Sequence, residues 1–245
     1  MADYNTIRAG AGVRSEEIDA GLRAHMNKVY GTMSVGMLIT FAVAWAVGSS
    51  PELLGIFRDP YTLQPNILGW VVMFAPLGMV FLFGGMINRI SAAGAQTFFY
   101  VFAAVMGLSI SWIFVAFTGF SIAQVFLITA IAFAGLSLYG YTTKKDISGW
   151  GAFLIMGVIG LIVAMVINLF LQSPAMMYAI SMIGVLIFAG LTAYDTQQIK
   201  VTYLQHAHMG DQEWLGKAAI MGALNLYLDF INMFMFLLQL LGSRE

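Results

Sequence analysis

The stretch "AAIMGALNLYLDFINMFMFLLQLL", residues 218–241, decides the fold. It is apolar over more than the ~20 residues a membrane-spanning helix needs, yet Asp229 sits eleven residues after Ala218. At ~1.5 Å per residue that is roughly 16 Å into the span, near the bilayer centre. A charge at that depth costs about 2.5–3.5 kcal/mol on insertion scales, so an ionisable residue there is a functional candidate by default. Asn225, Asp229, Asn232 and Gln239 recur at offsets of four, three and seven and share one helical face. A polar stripe on an otherwise apolar helix has to face partner helices or a water-filled path. Asn225 and Asn232 are therefore candidates to line such a path, with interhelical hydrogen bonding as the other reading.

The rest of the chain has the same character. Of its 245 residues, 60% are hydrophobic and 9% charged, with a mean hydropathy of +0.84, against about 25% charged residues in an average soluble domain. These values predict an all-α, polytopic membrane protein. Windows of ~20 residues locate seven spans near 28–48, 67–87, 97–117, 120–141, 150–171, 176–198 and 218–241, after a polar segment 1–27 and before a short tail 242–245. Six spans is the rival count. Thr118-Gly119 separates the third span from the fourth, and short connectors make consecutive helices antiparallel neighbours in a bundle. Ser15, followed by Glu16 and Glu17, reads as an N-cap with acids in the first turn, opening a short lead-in helix, or as part of a solvated tail. The N-terminus lacks the apolar segment of a cleavable signal peptide, so the first span is expected to serve as an uncleaved anchor.

Charge distribution sets the expected orientation. With the N-terminus inside, Arg8, Arg14, Arg23, Lys28, Arg89, Lys144, Lys145, Lys200 and Lys217 fall on the cytoplasmic side, and Arg58 and Arg244 on the other. This bias predicts N-terminus in and C-terminus out. Trp150, Trp214, Tyr139 and Tyr141 then lie near the cytoplasmic interface, where amphipathic rings gather. With 11 basic and 12 acidic residues, the chain has no basic patch for nucleic acid and no polybasic lipid-binding tail. The absence of cysteine excludes disulfides, thiol catalysis and thiolate metal sites. Gly36, Gly84, Gly85, Gly107, Gly135, Gly140, Gly157, Gly160, Gly184 and Gly190 lie inside spans, where small residues admit close helix packing. The 17 methionines are read as deformable core filling.

A second acid belongs with Asp229. "FAGLTAYDTQQIK", 188–200, places Asp195 where the sixth span becomes polar. Antiparallel helices put residues that straddle their turn symmetrically at one depth, and Asp195 and Asp229 are centred on position 212, within "MGDQEW" (209–214). The two should face each other, provided the sixth helix continues through "TQQIKVTY" with Lys200 snorkelling to the interface. Two carboxylates in a low-dielectric site do not both ionise comfortably, so the pair is expected to share a proton. Arg89, in "GMINRIS" at the end of the second span, is either a snorkelling interface residue or an ion-pair partner for Asp195.

Several of these stretches resemble one family. "AYDTQQIK" (193–200), "LYLDFIN" (226–232) and "LSLYGYTTKKDISGWGAFL" (136–154) are similar to the signature stretches of the Bax inhibitor family, the transmembrane Bax inhibitor motif proteins, and the resemblance covers about residues 25–242. It implies a seven-helix bundle with the seventh helix central, and a pH-sensitive calcium leak. It also implies that Asp195 and Asp229 are the family's proton-sharing, gating pair and that Arg89 matches the family arginine that pairs with the first aspartate. The short, non-basic end "LGSRE" departs from the animal members and fits a bacterial-type protein of the inner (plasma) membrane.

Other chemistries lack their residues. An intramembrane serine protease needs a histidine beside its serine, but His25, His206 and His208 all lie outside the spans as drawn. A retinal Schiff base needs a lysine in the core of the last span, which has none. His206 and His208 with Asp211 and Glu213 make a weak metal or pH-sensing cluster, read as a solvated connector. The chain is thus expected to be no enzyme and to hold no cofactor. Its expected partners are the lipid bilayer, protons, other membrane proteins and Ca²⁺, a hard cation that takes oxygen ligands, held transiently by Asp195 and Asp229. The alternatives are a non-transporting regulator of membrane machinery such as a protease or stress response, and a proton-coupled cation exchanger.

Overall fold

The computed structural model describes residues 3–59, 62 and 64–244, with side chains from residue 18 onward. Its helices are α1 (Asp3–Gly48), α2 (Pro51–Gly55), α3 (Ile67–Met86), α4 (Ala92–Ile110), α5 (Ile113–Ala116), α6 (Gly119–Thr142), α7 (Trp150–Leu171), α8 (Pro174–His206) and α9 (Gln212–Leu241). Among the described residues, seven segments are long and apolar enough to cross a membrane: α1 from Ile18, α3, α4 with α5, α6, α7, α8 with the turn after it, and α9.

Local chemistry marks the boundaries. The side chains of Asn66, Ser91, Thr118, Ser173 and Asp211 each accept a backbone N–H at the start of α3, α4, α6, α8 and α9, satisfying one of the donors every helix leaves unpaired at its N-terminus. Thr118 separates the third and fourth spans as the sequence indicates. The third span breaks near Ser111 and Trp112 into α4 and the short α5. Gly210 takes a positive φ of 70° between the 3-10 turn Ala207–Met209 and α9, a conformation that glycine adopts without steric cost. At the C-terminus, the Thr118 N–H donates to the Ser243 carbonyl at 3.1 Å and the Ser243 N–H to the Ser121 hydroxyl at 2.9 Å, so the tail docks on the α5–α6 junction.

Several boundaries move outward from the apolar windows. The polar segment 1–27 continues α1 from Asp3, so Ser15 lies inside the helix rather than capping it. Residues 1, 2 and 245 are outside the described set. α4 starts at Ala92, α8 runs to His206 and α9 starts at Gln212. A hydropathy window stops where residues turn polar, but the hydrogen-bond ladder runs on to the next cap or glycine.

The bundle is built around α9, which packs on α1, α4, α6 and α8, whereas α3 leans chiefly on α4 and α7 on α8. Ala223, Leu226 and Tyr227 of α9 are wholly buried. The outer faces are apolar and bare: Phe153 is 75% exposed and Phe170 85% exposed, which fits lipid rather than water as their solvent. Close packing follows some glycines only. A Cβ on Gly107 would stand 2.6 Å from the Thr40 carbonyl oxygen, and one on Gly36 2.6 Å from the Phe99 ring, whereas Gly84, Gly85, Gly135 and Gly160 face open space. The latter four correct the expectation that span glycines mark helix contacts, because they lie on faces that no neighbouring helix covers.

A paired-aspartate site between two helices

The site is assembled on α8 and α9, the antiparallel pair joined by the turn at 207–211. Arg89, Lys144, Lys145, Lys200 and Lys217 all lie toward the end of the bundle at which this turn sits, called here the basic end. α8 continues for three turns past Asp195 because nothing breaks it before Gly210. Its polar residues there each face a different neighbour. The Thr196 hydroxyl lies 3.0 Å from the Ser137 hydroxyl of α6, itself 2.6 Å from the Tyr30 hydroxyl of α1. The Gln197 carbonyl oxygen accepts the Ile147 N–H at 2.9 Å and its amide donates to the Lys145 carbonyl at 2.8 Å, pinning the α6–α7 loop to α8. Lys200 Nζ donates to the Tyr141 carbonyl at 2.7 Å and lies 5.4 Å from the centre of that ring. It thus closes the C-terminal end of α6, where carbonyls lack helical partners.

That leaves Asp195 facing α9. Its carboxyl is within hydrogen-bonding reach of Asp229, as the turn symmetry requires. Asp229 is 3% exposed, and its Oδ2 is buried with no hydrogen-bond partner among the described residues. Two carboxylates this close and this shielded repel strongly as a dianion; with one proton between them they form a hydrogen bond.

Asp195, in contrast, is only half-buried and opens into a cavity of about 300 Å³ at the basic end. His25, Asn88, Gln198, Lys217 and Asn225 also line it. The cavity therefore offers carboxylate and amide oxygens to a hard cation, alongside the Lys217 ammonium and the His25 ring. Among the described residues no three His, Asp or Glu side chains gather as metal ligands.

The structure separates the other sequence candidates. Asn225 lines the cavity with Asp195. Asn232 turns back on its own helix, donating to the Leu228 carbonyl at 2.8 Å. Arg89 is exposed, and neither aspartate has it among the groups acting on it. The Arg89–Asp195 ion pair is thus not formed here: α3 ends at Met86, and its following turn presents Ile87 and Asn88 to the cavity. The residues of the connector cluster disperse as well. His206 stacks on Trp214 at 4.0 Å, Asp211 caps α9, and Glu213 accepts the Ala92 N–H at 2.6 Å at the start of α4.

Residues 22–245 match the protein family described as "Inhibitor of apoptosis-promoting Bax1". The chain belongs to this family. It is 42% identical to the inner membrane protein YbhL of Escherichia coli strain K12 over 226 residues, covering 92% of this chain and 94% of that one. It is 43% identical to an uncharacterized protein of Caulobacter vibrioides, covering 93% and 92% of the two chains. With protein RP147 of Rickettsia prowazekii it shares 40% identity over the full length of both. The chain is thus a membrane-spanning member of the Bax inhibitor family.

The buried hydroxyls around the pair escape a reading by sequence. Thr40 of α1 donates to the Ala103 carbonyl of α4 at 2.8 Å and lies 2.6 Å from the Tyr227 hydroxyl of α9. Together with Tyr30, Ser137 and Thr196, it ties five helices to one another, α1, α4, α6, α8 and α9. A lone Thr or Ser in an apolar span is common and marks no partner, since it can bond its own helix. The available signal was their fall on buried faces, which only the helix packing reveals.

Proposed function

We propose that this chain is a pH-sensitive cation leak of the bacterial inner membrane, with Ca²⁺ as the transported ion and the Asp195–Asp229 pair as its gate. The observation that supports this reading is the contact between a cavity-facing and a sealed carboxyl. Asp195 opens to the basic end, while Asp229 lies behind it with an unpartnered, buried oxygen. While the pair shares a proton, the carboxyl–carboxyl hydrogen bond holds α8 to α9. Losing the proton leaves two adjacent negative charges, which repel one another and draw a hard cation toward the cavity oxygens. The leak therefore opens as pH rises. The basic end faces the cytoplasm, with the N-terminus inside and the C-terminus outside. No reaction is catalysed and no cofactor is held; protons, Ca²⁺ and lipid are the partners.

The test is calcium flux into dye-loaded liposomes from pH 6 to pH 8. Wild type should show flux that rises with pH, and Asp195→Asn and Asp229→Asn, each retaining a neutral carboxyl–amide hydrogen bond, should lose that dependence. Equal flux from all three proteins would show that the pair is not the gate, and no flux from wild type would favour a non-transporting regulator in which the acids only lock the packing. Calcium flux that drives stoichiometric proton movement would favour an exchanger.

A further inference from the structure

α1 and α6 pack little on one another. They flank a crevice floored by α9 and open to the membrane side. Its apolar part has a volume of about 970 Å³ and is lined by Met37 and Phe41 of α1, Phe126 and Ala130 of α6, and Phe230 and Phe234 of α9. Toward the basic end it meets a smaller cavity of about 420 Å³ that includes Arg23, Asn27 and Tyr141. Tyr30 and Phe133 line both. Along α1 from Arg23 to Trp45 the crevice runs about 33 Å, the thickness of a hydrocarbon core.

We propose that this crevice seats an anionic phospholipid from the leaflet at the basic end, with an acyl chain along the phenylalanines and the phosphate against Arg23. Two observations select that occupant. Among the described residues Arg23 makes no ion pair; its Nε reaches only the Asp19 carbonyl of its own helix, at 3.4 Å. The guanidinium N–H groups therefore remain for a phosphate, which they match as a fork. In addition, the 2.6 Å hydrogen bond between Tyr30 and Ser137 ties the two walls together. A helix about 10 Å across does not fit past that tie, but a flexible acyl chain lies over it. The lined surface thus carries Arg23 and Asn27 where a headgroup sits and is mainly aromatic and aliphatic where its tail runs, with Ser34, Thr40 and Ser49 the polar residues there.

The test is native mass spectrometry of the full-length, delipidated protein given equimolar phosphatidylglycerol and phosphatidylethanolamine in detergent. Wild type should retain phosphatidylglycerol over phosphatidylethanolamine by about fivefold, the ratio one basic contact to an anionic headgroup supplies. Arg23→Gln should bind both lipids equally. Ala130→Phe, which fills the crevice, should lose both; if it fails to fold by thermal unfolding, the exposed Arg23→Gln still decides. Equal retention by wild type, a preference that survives Arg23→Gln, or a dimer abolished by Ala130→Phe would overturn the proposal, the last by showing a second copy in the crevice.

Discussion

At the residue scale, the site rests on a difference between two like side chains. Asp195 touches the cavity and Asp229 does not, so the two substitutions should differ in stability although both abolish pH dependence. Asp229→Asn replaces a sealed carboxyl with an unpartnered oxygen by an amide that brings its own donors toward Asp195. We expect it to raise the unfolding midpoint in detergent at pH 8, where the wild-type pair bears its greatest charge, and to change little at pH 5. Asp195→Asn, at the wetter position, should produce the smaller gain. Circular dichroism melts at the two pH values check both, and a lower midpoint for Asp229→Asn at pH 8 would contradict repulsion within the pair. The Tyr227 hydroxyl offers a milder test, since Thr40 keeps its bond to Ala103 when Tyr227→Phe removes the 2.6 Å contact. A loss of about 1 kcal/mol is expected, the range of one buried hydrogen bond.

At the scale of elements, two glycines of the same span type should behave oppositely. Gly107 of α4 lies where a Cβ would meet the Thr40 backbone at 2.6 Å and Val43 at 2.9 Å. A backbone carbonyl cannot swing aside, so Gly107→Ala has to push α1 from α4, at a cost of about 1–3 kcal/mol. Gly135 of α6 faces open space, and Gly135→Ala should be neutral or stabilising by up to about 1 kcal/mol, the helix-propensity difference. Thermal unfolding of the two variants in one detergent separates them, and equal effects would mean that α1 and α4 are looser than the structure has them. The sequence cannot distinguish these positions, because both are glycines in apolar runs. What it does reveal is the pairing of Asp195 with Asp229, since antiparallel geometry is encoded by distance from a turn. It leaves Arg89 open between a snorkelling residue and an ion-pair partner, because the phase of a short turn after a helix end is not encoded by spacing.

At the scale of the whole molecule, the seven spans and their order are legible from hydropathy, because each helix must cross the membrane and short connectors force antiparallel succession. Which helices touch is not legible. Neither the central position of α9, beyond what family resemblance implies, nor the crevice between α1 and α6 follows from the order of spans, since lipid and protein neighbours are equally apolar solvents for a side chain. Sidedness occupies a middle ground, because it is written in the loop charges but acts through insertion rather than through contacts in the folded bundle. With cysteine absent from the chain, single cysteines report it cleanly. Thr62, between α2 and α3, and Lys144, between α6 and α7, are both exposed and sit at opposite ends of the bundle. In spheroplasts, a membrane-impermeant maleimide should label Thr62→Cys fully and Lys144→Cys only after lysis. The reverse pattern would place the Asp195 cavity on the outside, and the proposed gate would then answer to external rather than cytoplasmic pH.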